Sequence, residues 1–184
     1  MAIGSSLGQV SSAIQISNAL HFDATWWNQV YSEEQQGFIY GYLDCRPSPK
    51  TAKASIVDYQ NAVTEELRTG KSGDRDAVAK AIQHAAATLK SGDIQGGENY
   101  TEPHGFLDGE WWGDFSGSRP LDIALNNKGY VEGYLVCSSI PVTVYTVRRY
   151  QSAIDRHYSG GRHSHDKIAN VLQPLMKPPT NSQK

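Results

Sequence analysis

The chain has 184 residues, of which 39% are hydrophobic and 20% are charged, so it can form a packed domain of ordinary size or two very small ones. Its 17 basic and 19 acidic residues give a net charge of -2, which argues against a nucleic-acid-binding protein held by phosphate contacts. Two cysteines exclude a disulfide-dense miniprotein and a four-cysteine zinc module, and no apolar run is long enough to span a membrane.

The two ends of the chain differ in composition from its middle. Residues 1–20 form a lead segment without the basic and long apolar stretches of a signal peptide, although a chain whose signal had been removed would look the same. Residues 177–184 are polar and rich in proline, and we expect them to form a disordered tail.

An internal repeat organises the rest of the sequence. Residues 37–45 (GFIYGYLDC) recur 92 positions later as residues 129–137 (GYVEGYLVC). Three more blocks recur in the same order, and they are Trp26–Trp27 with Trp111–Trp112, Tyr59–Val63 with Tyr150–Ile154, and residues 76–82 with 166–172. This pattern indicates a tandem duplication. We predict a first repeat at 21–92, an acidic linker at 93–110 and a second repeat at 111–176, with both repeats sharing one domain.

Each repeat is predicted to contain three helices, which makes the expected fold all-α. The predicted helices are 32–46, 54–68 and 76–90 in the first repeat and 127–137, 144–158 and 166–176 in the second. Ser32, followed by two glutamates, is the expected N-cap of the first helix, and Asp166 is the expected N-cap of the last. The β-branched run at 140–147 leaves a short strand as an alternative there.

Glycines recur four residues apart in the first helix of each repeat, at positions 37, 41, 129 and 133. Each costs about 1 kcal/mol relative to alanine inside a helix, so the pattern needs a physical reason. One reason is close approach of two helices, and the other is a ligand pressed against bare backbone. If the two glycine faces meet, the repeats pack about a pseudo-two-fold axis through these helices.

Histidines cluster in residues 156–166, where His163 and His165, with His157 and Asp166 near them, offer a weak candidate metal site. Their spacing matches no closed zinc pattern, and the glycine pair at 160–161 predicts an exposed, flexible loop. We therefore favour a solvated loop, and we expect no cofactor.

Residues 91–118 carry six acidic residues interleaved with aromatic ones and contain no lysine or arginine. The segment is either a linker whose tryptophans pack on the core or a binding surface, because clustered aromatic residues are typical interface anchors. The candidate binding residues are Tyr100, Phe106, Asp108, Glu110, Trp111, Trp112 and Asp114. A carbohydrate hydrolase built on Asp108 and Glu110 is a further alternative.

Each repeat resembles the Tai-type (Rap-type) immunity proteins, small helical proteins that neutralise type VI secretion amidases. The resemblance lies in the order of a glycine-bearing helix near a cysteine, a helix with a tyrosine and a short apolar helix. These are residues 37–45, 57–67 and 77–89 in the first repeat and 129–137, 147–158 and 167–172 in the second. The resemblance implies a non-catalytic, exported, protein-binding module. The family usually has one such unit, so the duplication and the paired tryptophans are departures from it.

These observations favour a non-enzymatic, duplicated binding protein, of immunity or inhibitor type, whose partner is another protein and whose location is periplasmic or secreted. The rival hypothesis is an enzyme. It would be either a metal-dependent hydrolase using His163 and His165 or a carbohydrate-active hydrolase using Asp108 and Glu110.

Cys45 and Cys137 occupy the same position in the two repeats, at the end of each glycine-bearing helix. A two-fold axis through those helices would relate the two thiols, and a disulfide can form if their Cα atoms lie within roughly 7 Å. A bridge would indicate an oxidising compartment. The alternative is a pair of buried free thiols at equivalent core sites.

Overall fold

A computed structural model describes residues 19–46, 54–70, 74–89, 107–113, 120–161 and 163–176. Within these ranges the chain forms eight helices and no strand, apart from an isolated bridge between Asp108 and Lys167. The helices are α1 (Ala24–Gln29), α2 (Ser32–Cys45), α3 (Ile56–Thr69), α4 (Ala77–Thr88), α5 (Gly109–Trp112), α6 (Leu121–Cys137), α7 (Val144–Tyr158) and α8 (Ile168–Met176). The prediction of an all-α fold is confirmed for these residues.

The bounds of the six predicted helices mostly agree with the structure to within two residues, and the main difference among them is at α6. The short helices α1 and α5 were not predicted, so the described residues contain eight helices rather than six. This helix begins at Leu121, six residues before the predicted start, directly after Pro120. Proline is tolerated at a helix start because N–H groups there have no intrahelical acceptor, so the missing N–H of proline costs no hydrogen bond. The strand alternative at 140–147 is not adopted, since Thr143 and Thr146 form a reciprocal capping box that starts α7.

Two predicted helix caps are wrong. Ser32 lies inside α2, after the N-cap residue Tyr31, and its hydroxyl accepts a hydrogen bond from Gln60 Nε2 at 3.2 Å instead. Asp166 lies two residues before the first residue of α8, and its carboxylate contacts histidine side chains. In both places a tertiary partner competes with the local capping bond for the side chain.

Helices α2 and α6 form a parallel pair at the centre of the fold, with their glycine faces in contact. A Cβ on Gly41 would lie 2.9 Å from the backbone nitrogen of Tyr134, and one on Gly129 would lie 2.8 Å from that of Phe38. Gly37 and Gly133 likewise face backbone carbonyls of the opposite helix. Side chains at these positions would overlap backbone atoms, so close helix approach explains the four glycines.

The two tryptophan-bearing short helices attach to this central pair through similar bonds. In α1, Asp23 Oδ1 accepts hydrogen bonds from two backbone amides of the first turn. The carbonyl of Trp27 accepts a bond from Gln35 Nε2 at 2.6 Å, and the indole of Trp27 donates to Thr64 Oγ1 at 3.0 Å. These contacts tie α1 to both α2 and α3.

In α5 the same kinds of bond recur with different residues. Asp108 Oδ1 accepts hydrogen bonds from two backbone amides of the first turn. The carbonyl of Trp112 accepts a bond from Asn127 Nδ2 at 2.7 Å, and its indole donates to Asp155 Oδ1 at 2.7 Å. These contacts tie α5 to both α6 and α7.

A single apolar cluster runs through all eight described helices. Its largest fully buried side chains include Trp27, Trp112, Tyr130, Tyr158 and Phe38. Of the described helices, none is long and apolar enough to cross a membrane.

Candidate functional site

The acidic, aromatic segment does not place its tryptophans on a surface. Trp112 is fully buried, and Trp111 is half-buried with its ring centroid 5.8 Å from that of Tyr40 and 5.6 Å from that of Tyr130. The two tryptophans therefore pack on the core, as the linker interpretation expects. Of the other candidate residues in this segment, Tyr100, Phe106 and Asp114 lie outside the described ranges.

Asp108 and Glu110, the two carboxylates of the hydrolase hypothesis, have separate contacts. Asp108 uses its carboxylate to cap α5, while the Glu110 side chain is 68% exposed. Glu110 Oε1 lies 3.6 Å from His165 Nδ1, which is also exposed. One carboxylate is thus engaged in a helix cap, and the other pairs with a histidine at the surface.

The two weak metal candidates separate into different clusters. His163 Nδ1 lies 3.2 Å from Asp166 Oδ2, and His157 Nε2 lies 2.9 Å from the same oxygen. His165 instead lies beside Glu110. The structure therefore replaces the pair His163 and His165 with a group made of His157, His163 and Asp166.

The outer face of α7 is basic and includes a large exposed aromatic residue. Tyr145 is 75% exposed, and Arg148, Arg149 and Arg156 are exposed on the same helix. None of the three arginines forms an ion pair with another residue in the part of the chain that the structure describes. We call Tyr145 and these three arginines the basic face. An unpaired set of guanidinium groups around a tyrosine can bind an acidic surface.

The start of α7 is fixed by several contacts. The backbone carbonyl of Val142 accepts a hydrogen bond from Leu20 N at 2.8 Å, and the capping box at Thr143 closes the first turn. Ser138 and Ile140 donate backbone bonds to the last turn of α6. The Tyr145 end of the basic face is therefore held in place by the core.

Cys45 and Cys137 are joined in a disulfide, with their Cα atoms 6.1 Å apart. The two residues end α2 and α6, so the bridge links the central helices where they finish. Of the two alternatives at these positions, the structure shows the bridged one.

A buried charged group lies between the central helices. Lys128 Nζ is 3.1 Å from Glu132 Oε1 and also pairs with the carboxylate of Glu34. The pKa of Glu132 is raised to about 7, mainly because the group is buried; the charge of Lys128 lowers this pKa, and the nearby negative charge of Glu34 raises it. Glu132 is fully buried and Glu34 is nearly so, which makes this a titratable site inside the fold.

Two of these features are absent from the sequence prediction. The basic face could have been suspected from three arginines within one helix, but their exposure depends on which face of α7 packs on the core. The buried acid pair gave no local signal, because Glu34 and Glu132 meet only through the pairing of α2 with α6.

Comparison with known proteins finds no match: no protein-family model, curated protein or solved structure is similar to this chain. The resemblance to Tai-type immunity proteins therefore stays a prediction from the sequence. A function has to be inferred from the chain's own contacts and charges.

Proposed function

We propose that this protein is a non-catalytic protein-binding module of the immunity or inhibitor type, which binds an acidic surface of its partner through the basic face of α7. The observation that carries the proposal is the exposure of Tyr145, Arg148, Arg149 and Arg156 on one helix. Tyrosine and arginine are the residue types that most often dominate protein interfaces.

The fixed position of α7 supports this role. A partner that binds a surface already held in its bound shape loses less conformational freedom on binding. The contacts that hold Val142 and Thr143 place Tyr145 on such a surface. The arginines would mainly speed association and select an acidic partner, since exposed charges act on encounter more than on final affinity.

A duplicated architecture is part of the proposal. It is supported by bonds that recur at positions matching the sequence repeat. The matched residues are Asp23 and Asp108 as caps, Gln35 and Asn127 as donors, and Thr64 and Asp155 as acceptors. The glycine faces of α2 and α6 contact each other reciprocally, which is the arrangement expected of two units related by a two-fold axis.

An exported location is also part of the proposal, and the disulfide between Cys45 and Cys137 supports it. Disulfides persist in oxidising compartments such as the bacterial periplasm and the extracellular space. A periplasmic or secreted binding protein is also what the resemblance to immunity proteins implies.

The test is a capture experiment with periplasmic and secreted proteins from the source cells. A photo-crosslinking amino acid at position 145 is expected to trap a partner, because this side chain is exposed and next to the arginines. The double variant Arg148→Glu/Arg149→Glu should lose the partner, and added salt should weaken binding to the unmodified chain.

The matched control is Glu65→Arg/Glu66→Arg, which changes two exposed charges on α3. It should leave partner recovery unchanged. Equal recovery with Arg148→Glu/Arg149→Glu, or equal loss with both double variants, would show that the basic face is not the binding surface.

A further inference from the structure

The loop after α7 brings two imidazoles and a carboxylate to one point. His157 Nε2 and His163 Nδ1 lie 2.9 and 3.2 Å from Asp166 Oδ2, and the donor atoms of all three residues lie within 4.8 Å of one another. The centroids of the two imidazole rings are 4.7 Å apart. A salt bridge to Asp166 would need only one imidazole, and a helix cap formed by Asp166 would need none. The second imidazole is therefore not explained by either role.

We propose that His157, His163 and Asp166 bind one divalent transition-metal ion of the zinc type. Two imidazole nitrogens and one carboxylate oxygen are a donor set that suits Zn²⁺, and this set leaves further coordination positions for water. In a tetrahedral site with bonds of about 2.0–2.1 Å, neighbouring donor atoms are about 3.3 Å apart. The two nitrogen–oxygen separations need to widen by only a few tenths of an ångström to reach that value, and the two imidazole nitrogens lie within 4.8 Å of each other.

The backbone around the three residues is held in place before any ion binds. The hydroxyl of the buried Tyr158 donates to the carbonyl of Asp166 at 2.6 Å, and Asp166 N donates to the carbonyl of His163 at 2.9 Å. Gly160 and Gly161 have φ values of 80° and 71°, which glycine adopts readily and which turn the chain back from α7. Within the described residues, Asp166 and His163 are therefore linked by hydrogen bonds to each other and to the end of α7.

Contacts with α5 fix the same turn from the other side. Glu110 N donates to the carbonyl of Ser164 at 3.3 Å, and Ile168 N donates to that of Leu107 at 2.9 Å. Next to Gly109 there is no room for a side chain, since a Cβ there would lie 2.8 Å from the Cα of Ser164. In known metal sites, interactions outside the ligand set orient the ligands. The bonds to α5 would have that role here.

The chain offers a matched control in its first half. His84 Nδ1 lies 2.9 Å from Glu66 Oε2, so this pair has the same kind of histidine–carboxylate contact without a second imidazole. If a single histidine–carboxylate pair sufficed to bind Zn²⁺, both places would bind it equally well. The proposal requires that only the group with two imidazoles binds Zn²⁺ tightly.

The experiment uses the full chain without a histidine tag, freed of metal by a chelator and titrated with ZnCl₂ by calorimetry. We expect one Zn²⁺ per chain with a dissociation constant below about 10 μM, and no binding of Mg²⁺. His163→Ala should weaken binding by at least about tenfold, and His84→Ala should leave it unchanged. A Zn²⁺ concentration of about a hundred times the dissociation constant should raise the Tm by roughly 5 °C or more.

His163→Ala is the decisive variant, because its side chain is 53% exposed and its removal leaves the core intact. Asp166→Asn is a second test that keeps the side-chain size, and circular dichroism verifies that both variants are folded. The proposal is overturned if about 1 mM Zn²⁺ gives no binding, or if His163→Ala and His84→Ala bind Zn²⁺ as the unmodified chain does.

Discussion

Helices α3 and α7 hold their tryptophan-bearing neighbours in the same way, yet their outer faces carry opposite charge. Thr64 on α3 and Asp155 on α7 each accept the indole hydrogen bond of a buried tryptophan. On the outside, α3 exposes Glu65 and Glu66, whereas α7 exposes arginines. The buried tryptophan contacts of the two halves are alike and the exposed charges are not, so the binding surface should be sought where the exposed charges differ.

The exposed charges on α3 and α7 also differ in whether they form ion pairs within the chain. Glu65 pairs with Arg68 at 2.6 Å and Glu66 pairs with His84, so the acidic face of α3 is partly neutralised within the chain. The pKa of Glu65 is lowered by its hydrogen bonds with Arg68. On α7 the guanidinium groups of Arg148 and Arg149 have no such partner in the described part of the chain, which leaves them available to another molecule.

Cutting the covalent link between the halves should have the largest effect. Replacing Cys45 and Cys137 with serine is expected to lower the free energy of unfolding by about 4 to 5 kcal/mol, because the bridge constrains an unfolded chain across 92 residues. Urea denaturation followed by circular dichroism measures the change. The unmodified protein in reducing buffer should behave like the double variant. A loss below about 1 kcal/mol would mean that the glycine-packed helices hold the halves together unaided.

Substitutions that prevent the close contact of α2 with α6, made in either helix, should have the next largest effect on the free energy of unfolding. Gly41→Ala and Gly133→Ala each place a Cβ against the backbone of the opposite helix, where no side-chain movement can relieve the overlap. We expect each to lower the free energy of unfolding by about 3 kcal/mol or more. Gly70→Ala, at the exposed end of α3, is the control and should change it by less than about 1 kcal/mol. A large effect in only one helix would contradict a symmetric contact.

A smaller effect is expected in the pH dependence of the free energy of unfolding, and it comes from a residue that only the second half carries. Glu132 in α6 corresponds to Tyr40 in α2, so the second half alone places a carboxylate there. Because burial raises the pKa of Glu132 from 4.5 to about 7, the folded protein keeps a proton that the unfolded chain releases. The free energy of unfolding should therefore fall as pH rises from about 4.5 to about 7, by about 2 to 3 kcal/mol from this group.

The variant Glu132→Gln should remove this fall and be more stable than the unmodified chain at pH 8, while the two should differ little at pH 4. Urea denaturation at several pH values measures the difference. Asp122→Asn, an exposed position on the same helix, should keep the pH dependence of the unmodified chain. If Glu132→Gln retained the fall between pH 4.5 and pH 7, other groups would be responsible for it.

Much of the helical framework was predictable from the sequence, because it depends on local patterns. Apolar spacing located α3 through Ile56, Tyr59 and Val63, which are all buried. Glycine spacing predicted a close helix contact, since few other causes place glycines four apart inside a helix. The start of α6 was missed because residues 121–126 carry no local cap signal.

The candidate sites were less predictable, because they depend on which residues meet in space. His163 and His165 are close in sequence but lie beside different carboxylates, and His157 joins His163 only through the turn at the glycine pair. The sequence left Trp112 either packed on the core or exposed as an interface anchor, and only the tertiary structure, with its acceptor Asp155 on α7, decides between the two. Exposure and pairing are tertiary properties that composition does not encode.

The parallel pairing of α2 with α6 also has a consequence for synthesis on the ribosome. Residues of α2 that the finished fold buries, such as Phe38 and Tyr42, emerge long before their partners on α6. The paired cysteines are 92 residues apart, and the chain grows by about 5–20 residues per second. Roughly 5 to 20 s therefore pass between the synthesis of the glycine face of α2 and that of α6. The nascent first half must therefore remain soluble with an apolar helix surface uncovered, and folding of the centre is delayed until most of the chain has been made.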